Sequence, residues 1–240
     1  MKILDDLLAT IKQEAVVKDI RQGPFQTAVL TNNCGLASTL RDYGHHQDYA
    51  PVKEAGGLIG KEALEIAKMA YSSSLLEAAI GMATINSLLD IDQGQCLSLN
   101  ASDLLAEKGK GKKIALIGHF PFIPRLRQMA KELWVMEQHP REGDFAEGKA
   151  ESLVPQADVV GITGTAFTNH TIEHLLSLCR PEAYIIILGP TAPLSPLLFD
   201  YGVDAISGTK VVNPEEVLRC VSQGATFRQI KGIRLLTMRK

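Results

Sequence analysis

Residues 113–122 read KIALIGHFPF, a short apolar run that stops abruptly at Gly118-His119. Similar runs recur downstream and alternate with amphipathic stretches; they cover residues 133–137, 158–163, 184–188 and 203–207. Short apolar strands that alternate with helical patterns predict a parallel sheet covered by helices on both faces. Because right-handed crossovers wind such a sheet into a Rossmann-like layer, we expect a Rossmann-like α/β domain over residues 112–240.

A different pattern precedes this domain. Apolar residues at helical spacing predict a helix over residues 3–20; strands over 25–30 and 34–40 and helices over 61–71 and 75–89 follow. These elements predict a smaller α+β domain over residues 1–100. The segment from Asp90 to Lys113 ends in a lysine- and glycine-rich run, and we expect it to be a linker.

The composition is that of an ordinary globular protein. Of the 240 residues 45% are hydrophobic and 22% charged, and the net charge is −2 without a basic stripe, so nucleic acid is not an expected partner. Asp5 and Asp6 interrupt the first apolar run, which is therefore unlike a signal peptide, and no run is long enough to cross a membrane. Four scattered cysteines without a C-x-x-C pair are typical of a reducing cytoplasm. We expect a cytoplasmic protein, and the formation of a homo-oligomer is left as an open alternative.

Polar side chains at the ends of the predicted strands indicate where a ligand binds. In open parallel sheets, ligands bind outside the carboxyl ends of the strands. We therefore expect one cleft lined by the strand-end residues His119, Glu137, Thr163, Thr165, Asn169 and Thr191. An acid placed like Glu137 typically binds ribose or polyol hydroxyls, or it is simply a surface acid. The threonines and Asn169 would serve equally well as helix caps.

The first turn of the sheet argues against a dinucleotide. A G-x-G-x-x-G loop offers backbone N–H groups to a diphosphate, but Pro121 and Pro124 remove two of them. Bulky Phe120 and Phe122 stand where glycines would allow close approach. NAD and NADP are therefore not expected as cofactors. His119 offers instead a side chain that titrates near neutral pH.

Glu77 stands on the otherwise apolar helix predicted over residues 75–89. A carboxylate there must be paired, face a cleft or change its pKa. Glu77 is therefore a candidate acid or base beside His119, and as a cleft residue it would be partly solvated. The alternative is an acid favoured by the dipole at a helix N-terminus.

Two histidine pairs are candidates for metal ligation. His170 and His174 are spaced i, i+4 on the helix predicted over residues 168–179, which would place both rings on one face as metal sites require. Two surface histidines are the commoner case. His45 and His46 form the other pair, and adjacent histidines share one ion only in a tight turn.

The ordered strand-end motifs resemble those of a known family. They are Gly118-His119-Phe120-Pro121, Glu137 with Gly143-Asp144, Ile162–Ala166 and Gly189–Leu194, preceded by Asn33-Cys34-Gly35-Leu36 and Glu77-Ala-x-x-Gly81 in the N-terminal part. The chain resembles the heavy-metal-chelation family, in which an enolase-N-terminal-like domain precedes a Rossmann-like domain. One departure is Gln138-His139, which follows Glu137 where we would expect an aromatic residue.

The resemblance implies a site between the two domains. Asn33 and Glu77 would approach it from the first domain, and Asp144 would join Glu137 in holding hydroxyl or amine groups. The implied ligand is a heavy metal, a metal chelate or a small polar molecule, with condensation or hydrolysis in the synthesis of flavin-, pterin- or siderophore-like chelators as the implied chemistry. A non-catalytic heavy-metal or metal-chelate binding protein and a methyltransferase-like protein using S-adenosylmethionine stay open.

Overall fold

The computed structural model describes residues 1–40 and 51–240. Its N-terminal part is a three-stranded antiparallel sheet packed on helices, which we call the first domain. The strands, in the order β1-β2-β3, are β1 (Asp19–Gln22), β2 (Gln26–Leu30) and β3 (Cys34–Ser38). The helices are α1 (Lys2–Thr10), α2 (Ala63–Ala67), which continues as a 3-10 turn through Lys68–Tyr71, and α3 (Leu75–Leu88).

The helix predicted over residues 3–20 is wrong in its second half. α1 ends at Thr10, and Ile11 is already extended. Ala15, which appeared to continue the helical period, lies in extended chain and accepts the N–H of Ala63. Residues 19–22 instead pair with β2 as an edge strand. Apolar spacing within one segment does not reveal a strand whose stability comes from a neighbouring strand.

The second domain is built on eight strands. They are β4 (Cys96–Leu97), β5 (Lys113–Ile117), β6 (Glu132–Glu137), β7 (Phe145–Ala146), β8 (Val159–Thr163), β9 (Tyr184–Leu188), β10 (Ala205–Val211) and β11 (Ile233–Arg239). Their order is β4-β11-β10-β9-β8-β5-β6-β7, and the strands from β10 to β7 run parallel. The predicted α/β class, a Rossmann-like sheet preceded by a smaller α+β domain, is confirmed.

Helices cover both faces of this sheet. The helices of the second domain are α4 (Ala101–Gly109), α5 (Ile123–Met129), α6 (Ala150–Leu153), α7 (Thr165–Thr168), α8 (Ile172–Leu178) and α9 (Pro214–Ser222). α9 differs from the others, because it packs on β1 and β2 of the first domain. Successive side chains of a strand point to opposite faces. Leu116 on β5 accordingly packs with α4 and α5, whereas Ala115 belongs to the core that includes α7, α8 and the first domain.

The segment from Asp90 to Lys113 is not a linker. β4 pairs with β11, and Leu104 and Leu105 of α4 are fully buried. The glycines misled the prediction, because Gly109 ends α4 in close contact with β5: a Cβ there would lie 2.3 Å from Cδ1 of Ile114. None of the helices in the described residues has the length and apolar character needed to span a membrane.

Hydrogen bonds join the two domains close to the strand ends. Nδ2 of Asn86 on α3 donates to the carbonyl of Leu36 at 2.9 Å and reaches the carbonyl of Thr191 at 3.3 Å. Oγ1 of Thr191 accepts the N–H of Ser38 at 2.9 Å. The end of β3 is therefore fixed above the carboxyl edge of the large sheet.

Candidate functional site

The loop after β5 places His119 at the carboxyl edge of the sheet. Gly118 turns the chain there with a φ of 104°, in the left-handed region that favours glycine. Nδ1 of His119 lies 2.8 Å from Oδ2 of Asp144, whose side chain is only 1% exposed. A buried carboxylate on one ring nitrogen fixes the orientation of the imidazole. Nε2 is therefore the nitrogen available to a ligand.

The carboxylate of Asp144 is held by several groups. Its Oδ2 also accepts the N–H of Arg141 at 3.2 Å. Its Oδ1 has no hydrogen-bond partner among the described residues, but it lies 3.9 Å from Nη2 of Arg127. The nearby guanidinium helps to offset the charge of this buried acid.

Glu137 is fixed beside His119 by the backbone at the end of β6. Its Oε1 accepts the N–H of His119 and its Oε2 accepts the N–H of Gln138, each at 3.1 Å. Each carboxylate oxygen has two lone pairs, so acceptor capacity is left on both oxygens. Because β5 and β6 are neighbours, His119, which follows β5, and Glu137, which ends β6, lie at adjacent strand ends.

Two neighbouring cavities meet at Glu137, Gln138 and Leu40. The outer cavity, about 560 Å³, lies between the domains and is lined also by His119, His139, Arg141, Pro24, Phe25 and Thr39. The inner cavity, about 80 Å³, lies at the ends of β5, β6 and β8, and Thr163, Thr165, Asn169 and Glu147 contribute to its wall. Five of the predicted site residues thus line at least one of the two cavities: His119, Glu137, Thr163, Thr165 and Asn169.

The polar wall of the inner cavity is internally bonded. The hydroxyls of Thr163 and Thr165 are 2.9 Å apart. Oδ1 of Asn169 accepts the hydroxyl of Thr171 at 2.8 Å and its N–H at 3.3 Å. Asn169 therefore supports the turn before α8 and lines the cavity as well.

Three other predicted site residues lie elsewhere. Thr191 is fully buried and bonds to Ser38. Asn33 is exposed in the turn between β2 and β3, at the opposite end of β3 from Ser38. Asp144 supports His119 from behind. These three residues and Glu77 are not among the residues that line the two cavities.

Glu77 lies in the first turn of α3 and is only 4% exposed, so the expectation of a partly solvated residue is wrong. Its Oε1 accepts the N–H of Lys53 at 2.7 Å, and its Oε2 accepts the hydroxyl of Ser72. Burial acts to raise the pKa of Glu77, but the hydrogen bonds from Ser72 and Lys53 and the charge of Lys53 together hold the pKa below its ordinary value. The folded protein therefore favours the ionised carboxylate.

Sequence reasoning missed the first domain's share of the outer cavity. Phe25, which is 43% exposed, Thr39 and Leu40 face the strand ends of the second domain. The strand-end rule applies within one parallel sheet and says nothing about which residues of another domain approach it.

Comparison with known proteins identifies the family. Two family models, both described as "Putative heavy-metal chelation", match residues 4–89 and residues 100–240. The chain belongs to this family. A protein of unknown function from Desulfitobacterium hafniense in the heavy-metal chelation family has a crystal structure with a TM-score of 0.85, 26% identity and coverage of 100% of this chain and 97% of that one.

Two further proteins resemble the chain, and neither has a function in its description. A protein of unknown function from Pyrococcus horikoshii has the same fold, with a TM-score of 0.82, 22% identity and coverage of 100% and 98% of the two chains. The uncharacterized protein MJ0500 of Methanocaldococcus jannaschii is 26% identical over 224 residues, which are 87% of this chain and 83% of that protein.

The family's description suggests a metal, but the described part of the chain does not contain a complete set of metal ligands. No group of three or more histidine, cysteine or acidic side chains is close enough there to hold an ion. Burial raises the pKa of Cys179 to about 12, and burial with the charge of Asp19 does the same for Cys34. Neither cysteine offers the thiolate that heavy metals prefer.

The expectation that His170 and His174 lie on one helix face, as a candidate metal pair, is wrong. His170 has a φ of 61° and lies between α7 and α8, not within a helix. Its Nε2 is 2.7 Å from the carbonyl of Ala70, whereas Nε2 of His174 is 2.7 Å from Oε1 of Glu151. The helical period failed because the helix is interrupted between α7 and α8, where His170 has left-handed backbone. His45 and His46 lie outside the described residues.

Proposed function

We propose that the protein binds a small polar molecule or a metal chelate in the outer and inner cavities between its domains. The observation that carries this proposal is the pairing of His119 and Glu137 at adjacent strand ends, with buried Asp144 behind the imidazole. The inner cavity offers carboxylate, hydroxyl and amide groups, which suit ligand hydroxyl or amine groups. Phe25 and Leu40 add apolar wall to the outer part.

A metal would reach this site together with its own chelator. Nε2 of His119 and the carboxylate of Glu137 are suitable ligands, but two groups do not complete a coordination sphere. A chelator that occupies the other positions would satisfy both the metal and the polar walls. This is our reason for preferring a chelate to a bare ion.

We propose His119 as the proton-transfer residue for condensation or hydrolysis of such a molecule. Asp144 holds the ring so that one nitrogen faces the ligand, as a general acid or base requires. Glu77 and Asn33 stay predictions, as residues that act on the site from the first domain without lining either cavity. Dinucleotides are not among the expected ligands, because Pro121 and Pro124 leave too few N–H groups for a diphosphate.

The test is the content of the protein as purified. Mass spectrometry of the denatured protein identifies released small molecules, and elemental analysis measures metals, for the parent, Glu137→Gln and Glu142→Gln. Glu142 is an exposed acid of the same loop region and serves as the control. We expect a polar molecule at about one per chain in the parent and in Glu142→Gln, and its loss from Glu137→Gln.

The possible results separate the candidates. A metal that accompanies the organic molecule supports a chelate, whereas a metal alone at one per chain supports a non-catalytic metal-binding protein. Release of S-adenosylmethionine would support the methyltransferase-like alternative. Equal small-molecule content in the parent and in Glu137→Gln would overturn the proposed site.

A further inference from the structure

A third cavity lies at the same edge of the large sheet, on the other side of the loop after β5. It has a volume of about 380 Å³, and we call it the α4 cavity because the start of α4 forms one wall. The end of β9 and the middle of β10 form its floor. His119 lines the outer cavity, whereas Phe120 and Phe122, from the same loop, line the α4 cavity. The loop therefore separates two sites that the strand-end rule treats as one.

The walls of the α4 cavity are mainly apolar and aromatic. The rings of Phe120 and Phe122 are stacked, with centroids 5.2 Å apart and planes inclined by 15°. Phe227 and Leu235 line the same space, and Leu235 is 44% exposed. An exposed leucine beside three aromatic rings costs free energy in water, and a ligand with an apolar body would relieve that cost.

A single charge stands at this cavity. Arg228 is the only charged residue among the described residues that line it, and it is exposed. No described residue forms an ion pair or a side-chain hydrogen bond with its guanidinium. A guanidinium matches the geometry of a carboxylate with two parallel hydrogen bonds. The α4 cavity therefore differs from the outer cavity, where the carboxylate of Glu137 stands beside a cation, Arg141.

We propose that the α4 cavity is a second binding site, specific for a small aromatic carboxylic acid. The aromatic ring would pack against Phe120 and Phe227, because aromatic rings favour stacked or edge-to-face contact. The carboxylate would pair with Arg228 at the rim. The volume lies within the range of about 300–1,000 Å³ that is usual for small-molecule sites. This site is independent of the one that contains His119.

Calorimetric titration with 2-naphthoate tests the proposal, with the neutral analogue 2-naphthalenemethanol as the second probe. We expect the parent to bind one 2-naphthoate per chain and to prefer it over the alcohol. Arg228→Gln should weaken 2-naphthoate about fivefold, the size of a partly exposed ion pair, and should leave the alcohol unchanged. Phe120→Leu should weaken both probes.

Two control variants make the test specific. Arg219 is an exposed arginine on α9 that does not line the cavity, so Arg219→Gln should bind 2-naphthoate like the parent. His119→Ala should also bind it like the parent, because His119 lies in the outer cavity. Absence of binding to the parent, equal binding by Arg228→Gln, or loss of binding in His119→Ala would overturn the proposal. None of these results depends on the ligand of the outer cavity.

Discussion

His119 depends for its orientation on one buried carboxylate. A hydrogen bond to a charged acceptor stabilises by about 1.5–3 kcal/mol, so neutral His119 should carry its proton on Nδ1, facing Asp144. Asp144→Asn should shift the tautomer population toward Nε2–H. Nitrogen-15 NMR of the imidazoles at pH 8 measures the tautomer. The signal of His174, which faces Glu151 on the surface, serves as the internal control. An unchanged His119 tautomer in the variant would contradict the proposed positioning role.

Glu77 is expected to stabilise the first domain in its ionised form. Its folded-state pKa is lowered, so its contribution is fully present above the unfolded value of about 4.5 and is lost as pH falls through the lower, folded value. Glu77→Gln should reduce the free energy of unfolding by about 1–3 kcal/mol at pH 7 and by less at pH 3. Urea unfolding at both pH values measures the difference.

Glu14→Gln is the matched control, because Glu14 is an exposed acid of the same domain. Its stability should equal that of the parent at both pH values. If Glu77→Gln unfolds like the parent at pH 7, the two hydrogen bonds contribute nothing. If the variant is destabilised and yet retains the small molecule found in the parent, Glu77 has a structural role and no part in the site.

α4 is a structural element of the second domain and not part of a connection. Leu105 is fully buried, so Leu105→Ala should lower the free energy of unfolding by about 2–5 kcal/mol, through lost burial and the cavity left behind. Gln95→Ala, at an exposed position of the same segment, should have little effect. Chemical denaturation followed by circular dichroism compares them. Equal stability of the two variants would restore the linker interpretation.

The elements that were predicted well from the sequence are those that can be identified from the residue pattern of one segment alone. β5, β6, β8 and β9 are continuous apolar runs, because both of their faces are buried, and their predicted bounds are within a residue of the observed ones. β1, β4 and β11 were missed because they lie at or near sheet edges and depend on distant partners. The site divides in the same way: strand ends were predictable, but Phe25 and Thr39 depend on how the domains dock.

The two domains should unfold as one unit. They share a continuous hydrophobic core, and Asn86 and Thr191 bond across the boundary. Trp134, the only tryptophan, lies on β6 and reports on the second domain alone. Its fluorescence and the far-ultraviolet circular dichroism should therefore change at the same urea concentration. Two separated transitions would show that the shared core does not couple the domains.

The pairing of β4 with β11 also has a consequence for synthesis of the chain. Leu97 is paired with Thr237, so β4 leaves the ribosome long before its partner strand β11 exists. Each of β6, β7, β8 and β9 pairs with a strand that is synthesised before it, whereas β4 has to wait for β11. We therefore expect nascent chains that stop before β11 to expose this segment. Such chains would be the natural clients of chaperones that recognise apolar segments during translation.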